Sequence, residues 1–188
     1  MVRVDTDETV VGNCENQFIR TITYIATDDC GNESEPYTIT ITTGDGAAPV
    51  WDQEPGSLDL SFTCSEDVVI PATPTASDNC SSAVVTVAVE SDVTTPGNCN
   101  NNFTRVITYV ASDDCGNLST AYTITIIVND NSVPTWDITP GTLDTTFTCT
   151  EDLVLPTAPT ATDNCGSAIV TVTAVSYTHL TLPTIYSV

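Results

Sequence analysis

Phe103-Thr104-Arg105-Val106-Ile107-Thr108-Tyr109-Val110-Ala111-Ser112-Asp113-Asp114-Cys115-Gly116-Asn117 is the stretch from which the fold follows. β-Branched and aromatic residues run from Phe103 to Ala111 and alternate between two faces, which predicts a strand. Asp113 to Asn117 then ends it, because Asp and Asn bond to nearby backbone groups and Gly accepts a tight turn. The same stretch stands at Phe18 to Asn32, 85 residues earlier and in the same register.

That offset governs the whole chain. Cys14 and Cys30 recur as Cys99 and Cys115, Cys64 and Cys80 recur as Cys149 and Cys165, and Trp51-Asp52 recurs as Trp136-Asp137. A solenoid unit usually has about 20–50 residues, so a period of this size suits one small all-β domain instead. The expected division is the C-terminal part of a first repeat at 1–49, a complete repeat at 50–134, and the N-terminal part of a third at 135–174. Residues 175–188 break the pattern and resemble a translated sequencing-library adapter, so they are expected to be a non-native tail. His179, the single histidine, falls in that tail and receives no role.

Within the central unit, Leu58, Leu60, Phe62 and Cys64 share one face of a strand, and Val68 to Ile70 suggest a short second strand stopped by Pro71. Val85, Val87 and Val89 form another inward face, and Tyr122, Ile124, Ile126 and Val128 a last one. Tyr24, Tyr37, Tyr109 and Tyr122 read as core or core-edge residues. Five clear strands and two short ones are expected, and an antiparallel β-sandwich satisfies them most readily. The fold class is all-β, in tandem immunoglobulin-like units.

Composition narrows the function. Twenty-five acidic residues stand against three arginines and no lysine, for a formal charge of -22. Such a field repels nucleic acid and anionic lipid and attracts cations. No run of 18 apolar residues is present, so no membrane insertion is expected in this stretch. Eight cysteines without a C-x-x-C pair indicate disulfides and an oxidising compartment over zinc or iron–sulfur ligation. The export signal of such a protein is expected upstream of this stretch.

Four cysteines in a unit allow three pairings. If successive strands simply reverse direction, Cys80 and Cys115 lie at one end of the sandwich and Cys64 and Cys99 at the other. Cys99 and Cys115 would then be separated by a strand of about 30 Å, far beyond the roughly 6 Å between linked Cα atoms. The remaining choice is Cys64 with Cys99 and Cys80 with Cys115, which leaves Cys14, Cys30, Cys149 and Cys165 without partners. A Greek-key crossover would change which loops meet.

Ala76-Ser77-Asp78-Asn79-Cys80, Ile107 to Asn117 and Tyr122-Thr123-Ile124-Thr125-Ile126 resemble the corresponding segments of hyalin-repeat-like (HYR-like) domains. These are immunoglobulin-type sandwiches in tandem arrays of secreted and surface proteins of Bacteroidota. The resemblance covers residues 1 to 174. It implies an extracellular or cell-surface location and a structural or adhesive role within a bacterial surface adhesin.

Two places suggest a metal. Asn129-Asp130-Asn131 before Pro134, with Asp137 nearby, looks like the calcium-holding linker of cadherin repeats and offers the oxygen donors that calcium takes. The other junction, Thr43 to Pro49, carries only Asp45, and a polar linker stopped by proline explains both. Asp113 and Asp114, like Asp28 and Asp29, either bind calcium at a sandwich end or cap a turn. No cofactor beyond calcium is implied. Arg20 and Arg105 are expected to pair with an acid on a neighbouring strand or to cover a sheet edge.

Catalysis has no foothold, because a histidine base is missing from every repeat and adjacent carboxylates in a turn do not frame a sugar. The expected role is a non-enzymatic extracellular structural or adhesive repeat, with neighbouring repeats in the same chain, surface glycans or proteins as partners. The alternative is a carbohydrate-binding module of a secreted polysaccharide-degrading enzyme, for which Trp51 and Trp136 would be the aromatic platforms.

Overall fold

A computed structural model describes residues 1–80, 84–148, 154, 156–166 and 171–173. Cys149, His179 and the expected tail lie outside the described residues. All the extended structure is β, with one 3-10 turn at Ser65–Asp67. Strands β1 (Val2–Val11), β2 (Phe18–Ala26) and β3 (Tyr37–Thr43) form an antiparallel sheet in that order. The main central sheet runs β5 (Leu60–Phe62), β9 (Tyr122–Asn129), β8 (Asn102–Ser112), β7 (Thr86–Pro96). Two short antiparallel ladders complete the set, β4 (Val50–Trp51) with β6 (Ala76–Ser77), and β10 (Thr135–Trp136) with β11 (Ala161–Thr162).

The architecture is all-β and immunoglobulin-like, with three departures from the sequence expectations. β5 pairs with β9 in parallel, Leu60 opposite Ile126 and Phe62 opposite Val128. Val68 to Ile70 form no strand, because the chain has just left the 3-10 turn and reaches Pro71 before a ladder can form. Val89 points to solvent, next to a register irregularity between Val89 and Ser91.

The core sits where β8 and β9 face the segment before β7. Ile107, Tyr109, Tyr122, Ile124 and Ile126 are buried together, and Trp51, Leu58, Phe62, Val68 and Val87 pack against them. Each fully buried side chain of this kind contributes roughly 1.5–3 kcal/mol relative to an exposed one. The first sheet has the same sequence pattern without that cover. Tyr37 is 69% exposed where Tyr122 is 2%, and Ile39 and Ile41 are 40% and 42% exposed where Ile124 and Ile126 are 0%. Alternation marks a face, and only a packed partner buries it.

Both strand arginines bridge to the preceding strand. Arg105 Nε and Nη2 donate to the two carboxylate oxygens of Asp92 at 2.8 and 2.6 Å, and Arg20 does the same to Asp7 at 2.9 and 2.7 Å. Each acid stands diagonally across the ladder from its arginine, since Thr94 is directly opposite Arg105 and Thr9 opposite Arg20.

Candidate functional site

The turns and linkers that carry the cysteines meet at two places, and the two places are equivalent under the 85-residue offset. At the first, Asp45, Asp78 and Cys80 gather their ligand atoms within 4.8 Å, and at the second Asp130, Asp163 and Cys165 do so. Asx turns build both. Asp78 Oδ1 accepts from Cys80 N at 2.9 Å and Asp163 Oδ1 from Cys165 N at 3.2 Å.

The first junction joins the β1–β2 turn to the turn between β8 and β9. Cys14 is disulfide-bonded to Cys115, with Cα atoms 4.9 Å apart. Beside the bond, Glu15 N donates to Asp114 Oδ2 at 3.1 Å, and Asn117 Nδ2 donates to the linker carbonyl of Asp45 at 3.2 Å. At the second junction Cys64 is bonded to Cys165, with Cα atoms 5.2 Å apart. Asn164 Nδ2 lies 3.5 and 3.4 Å from the two sulfurs. Buried Asn101 ties the linker in, accepting from Ser65 N through its side chain and from Asp130 N through its carbonyl, both at 2.9 Å.

The expected pairing of Cys64 with Cys99 and of Cys80 with Cys115 is not the one in the structure. Cys80 and Cys99 are free thiols, and Cys14 and Cys165, expected to be unpaired, are bonded. Cys80 lies beside Asp45, at the same junction as Cys115, and Cys64 lies beside Asn101, in the turn that holds Cys99. Both bonds join loops 101 residues apart, the β1–β2 turn to the β8–β9 turn and the loop after β5 to the turn after β11.

The residues expected to ligate a metal at the linker and in the turn take different partners. Asp130 is gathered with Asp163 and Cys165, whereas Asp137 accepts a short hydrogen bond from the Thr160 hydroxyl beside the β10–β11 ladder. Asn129 Oδ1 is 3.5 Å from Asn102 Nδ2, and Asn131 is exposed. Asp113 closes its turn, its two oxygens accepting from Asn117 N and Asn117 Nδ2, both at 2.8 Å. Burial acts to raise the Asp113 pKa, but the hydrogen bonds from Asn117, Gly116 and Cys115 outweigh it and the net shift is downward. Asp114 is engaged by Glu15. Sequence reading missed Asp78 and Asp163, whose pairing with linker acids depends on how consecutive sandwiches meet.

At the first junction Asp45 Oδ2 and Asp78 Oδ2 are buried without a hydrogen bond of good geometry. The Cys80 thiol lies among these acids, and its pKa is pushed up, first by a hydrogen bond to Asp45 and then by burial. That direction is wrong for a nucleophile, which needs its thiolate. The described residues contain no histidine.

Residues 54–128 match the family of HYR-like domains with four cysteines. That segment is similar to HYR-like domains and includes the core of β8 and β9. Over 159 residues, 79% of this chain, the sequence is 31% identical to Hyalin of Strongylocentrotus purpuratus, and the aligned part spans 13% of that protein's length. No solved structure matches. The matched segment holds Phe62, Tyr109 and Tyr122 in the core.

Its aromatic residues are committed to packing. Trp51 Nε1 donates to Thr120 O at 2.8 Å while its ring lies on Tyr122. A cavity of about 400 Å³ borders Trp136, Ile138 and Leu143. The equivalent place beside Trp51 is filled by Tyr122, and no observation supports a sugar-binding platform.

Proposed function

We propose that this chain is part of an extracellular structural array, in which HYR-like sandwiches are joined end to end into a stiff, acidic stalk that holds an adhesive surface away from a cell. The reading takes residues 50–134 as one complete repeat between parts of two others, with residues 175–188 outside the repeat. The observation that carries it is the disulfide from Cys14 to Cys115, which locks one repeat to the next across 101 residues of chain. Such bonds persist in oxidising, extracellular surroundings. A charge of -22 keeps the array soluble and separate from nucleic acid and anionic lipid. The bacterial surface adhesin of the resemblance is the setting this suits, with surface glycans or proteins as partners of the whole array.

Pulling single molecules by their ends tests the mechanical role. The oxidised chain should release a much shorter contour length than the reduced chain, since each bond removes the residues between its cysteines from the extensible length. Equal lengths in the two states would sink the proposal.

A divalent cation at the junctions is a second reading. It is favoured by the two unpartnered carboxylate oxygens of Asp45 and Asp78, hard donors of the kind calcium selects. Asp130 and Asp163 are the equivalent pair at the next junction.

A further inference from the structure

We infer that consecutive repeats are held together by two disulfides at every junction, following one translational rule. The cysteine of the Cys64 type pairs with the Cys80 type of the following repeat, and the Cys99 type pairs with the Cys115 type of the following repeat. This rests on the repeat division of the proposed function and extends it to a specific covalent partner.

Three observations carry it. Both disulfides have the same sequence separation, 101 residues, although they use different pairs of cysteine types. Both junctions are the same structure, because Asp45, Asp78 and Cys80 map onto Asp130, Asp163 and Cys165. At the second junction that cysteine is bonded to Cys64, so Cys80 occupies the position of a bonded cysteine while remaining a thiol. The free thiols then follow. Under the rule the partners of Cys30 and Cys80 would precede residue 1, and that of Cys99 would follow residue 188; Cys30, Cys80 and Cys99 are the free cysteines among the described residues.

Pairing across the junction also resolves a geometric conflict within the repeat. Cys64 and Cys80 of one repeat face opposite neighbours, Cys64 toward Cys165 and Cys80 toward Asp45. A bond between them inside one sandwich would have to span its length, whereas the same two types meet when one belongs to the next repeat. Formation of each bond consumes two thiols and a disulfide oxidant. One thiolate attacks the oxidant's disulfide to give a mixed disulfide and release one thiol, the second thiolate displaces the other sulfur, and the oxidant leaves as two thiol groups carrying the two electrons and two protons.

The test has two arms. The full chain is oxidised in a glutathione redox buffer, its remaining thiols are alkylated, and it is mapped by non-reducing peptide mass spectrometry. Cys14–Cys115 and Cys64–Cys165 peptides are expected, with Cys30, Cys80 and Cys99 alkylated. Recovery of Cys64–Cys99 and Cys80–Cys115 would overturn the rule and the stalk reading together, whereas Cys14–Cys115 and Cys64–Cys165 recovered with an original Cys99 that stays alkylated in the second arm would overturn the rule alone. In the second arm, residues 167–188 are replaced by another copy of residues 82–134 carrying Leu118→Val as a mass mark. The original Cys99 should now leave the alkylated pool and appear bonded to the marked Cys115. A marked Cys115 bonded to the Cys99 of its own copy, or an original Cys99 that stays alkylated, would overturn it.

Discussion

The Trp51 ring lies against the Tyr122 ring, with centroids 5.2 Å apart and planes tilted by 49°. The two residues come from opposite ends of the HYR-like domain, and the contact is fastened at both edges. Trp51 Nε1 reaches Thr120 O, and Tyr122 Oη donates to Glu54 O at 3.0 Å. This pair joins the segment before β7 to the sheet it covers. Trp51→Ala should therefore destabilise the central domain by about 3 kcal/mol, the lower end for such truncations because Trp51 is only half-buried. Trp136→Ala, at a ring 52% exposed, should stay within about 0.5 kcal/mol. Urea denaturation of the two variants separates them, and equal losses would contradict the assignment of Tyr122 as the partner that matters.

Gly116 has φ +89°, and a Cβ built there would meet no atom within 4 Å. Gly116→Ala should cost about 1–2 kcal/mol from backbone strain alone. Gly116→Asn should cost less, since Asn tolerates the left-handed region better. A calorimetric Tm for each variant checks the order, and an unchanged Tm for the alanine variant would refute the strain argument.

Asp28, Asp113, Asp7 and Asp92 all have depressed pKa values. Asn32 holds Asp28 down, first through its side chain and then its backbone; Arg20 and Arg105 hold down Asp7 and Asp92. A carboxylate with a depressed folded pKa stabilises the fold above its unfolded pKa, about 3.9, and loses that contribution as pH falls through the folded value. Stability should therefore drop below about pH 4. Relief of repulsion among the acidic residues works the other way, so the Tm is best followed in 1 M salt, where the Debye length is about 3 Å. An acid-independent Tm in that salt would remove these carboxylates from the account.

Removing divalent cations tests the junction reading. EDTA should lower the Tm of the oxidised chain, and Asp78→Asn should abolish the difference, since it neutralises one of the two carboxylates whose Oδ2 is buried without a well-formed hydrogen bond. Identical melting curves with and without EDTA would leave the junction acids as turn formers only.

Legibility followed the range of the interaction. The strand at Phe103 to Ala111, its turn and the inward face of β9 were readable, because alternation and turn chemistry act between near neighbours; Asp7 and Asp92 as partners of Arg20 and Arg105 needed the strand register. Among the expected metal ligands Asp130 is gathered with Asp163 and Cys165, and Asp114 with Cys14 and Cys115; these neighbours are set by how distant loops meet, which carries no local signal in sequence.

The sequence by itself determined the 85-residue register, the all-β class, and the turns and strands that carry the cysteines. Each rests on composition, periodicity or local backbone preference. Only the tertiary structure decided that β5 runs parallel to β9, which copy of the β9 face is buried, and that Cys115 joins Cys14 while Cys64 joins Cys165. A disulfide partner is chosen by which loops face each other across a few ångströms. In a tandem array the loops of the next repeat meet that condition as readily as those of the same repeat, and sequence spacing does not distinguish them.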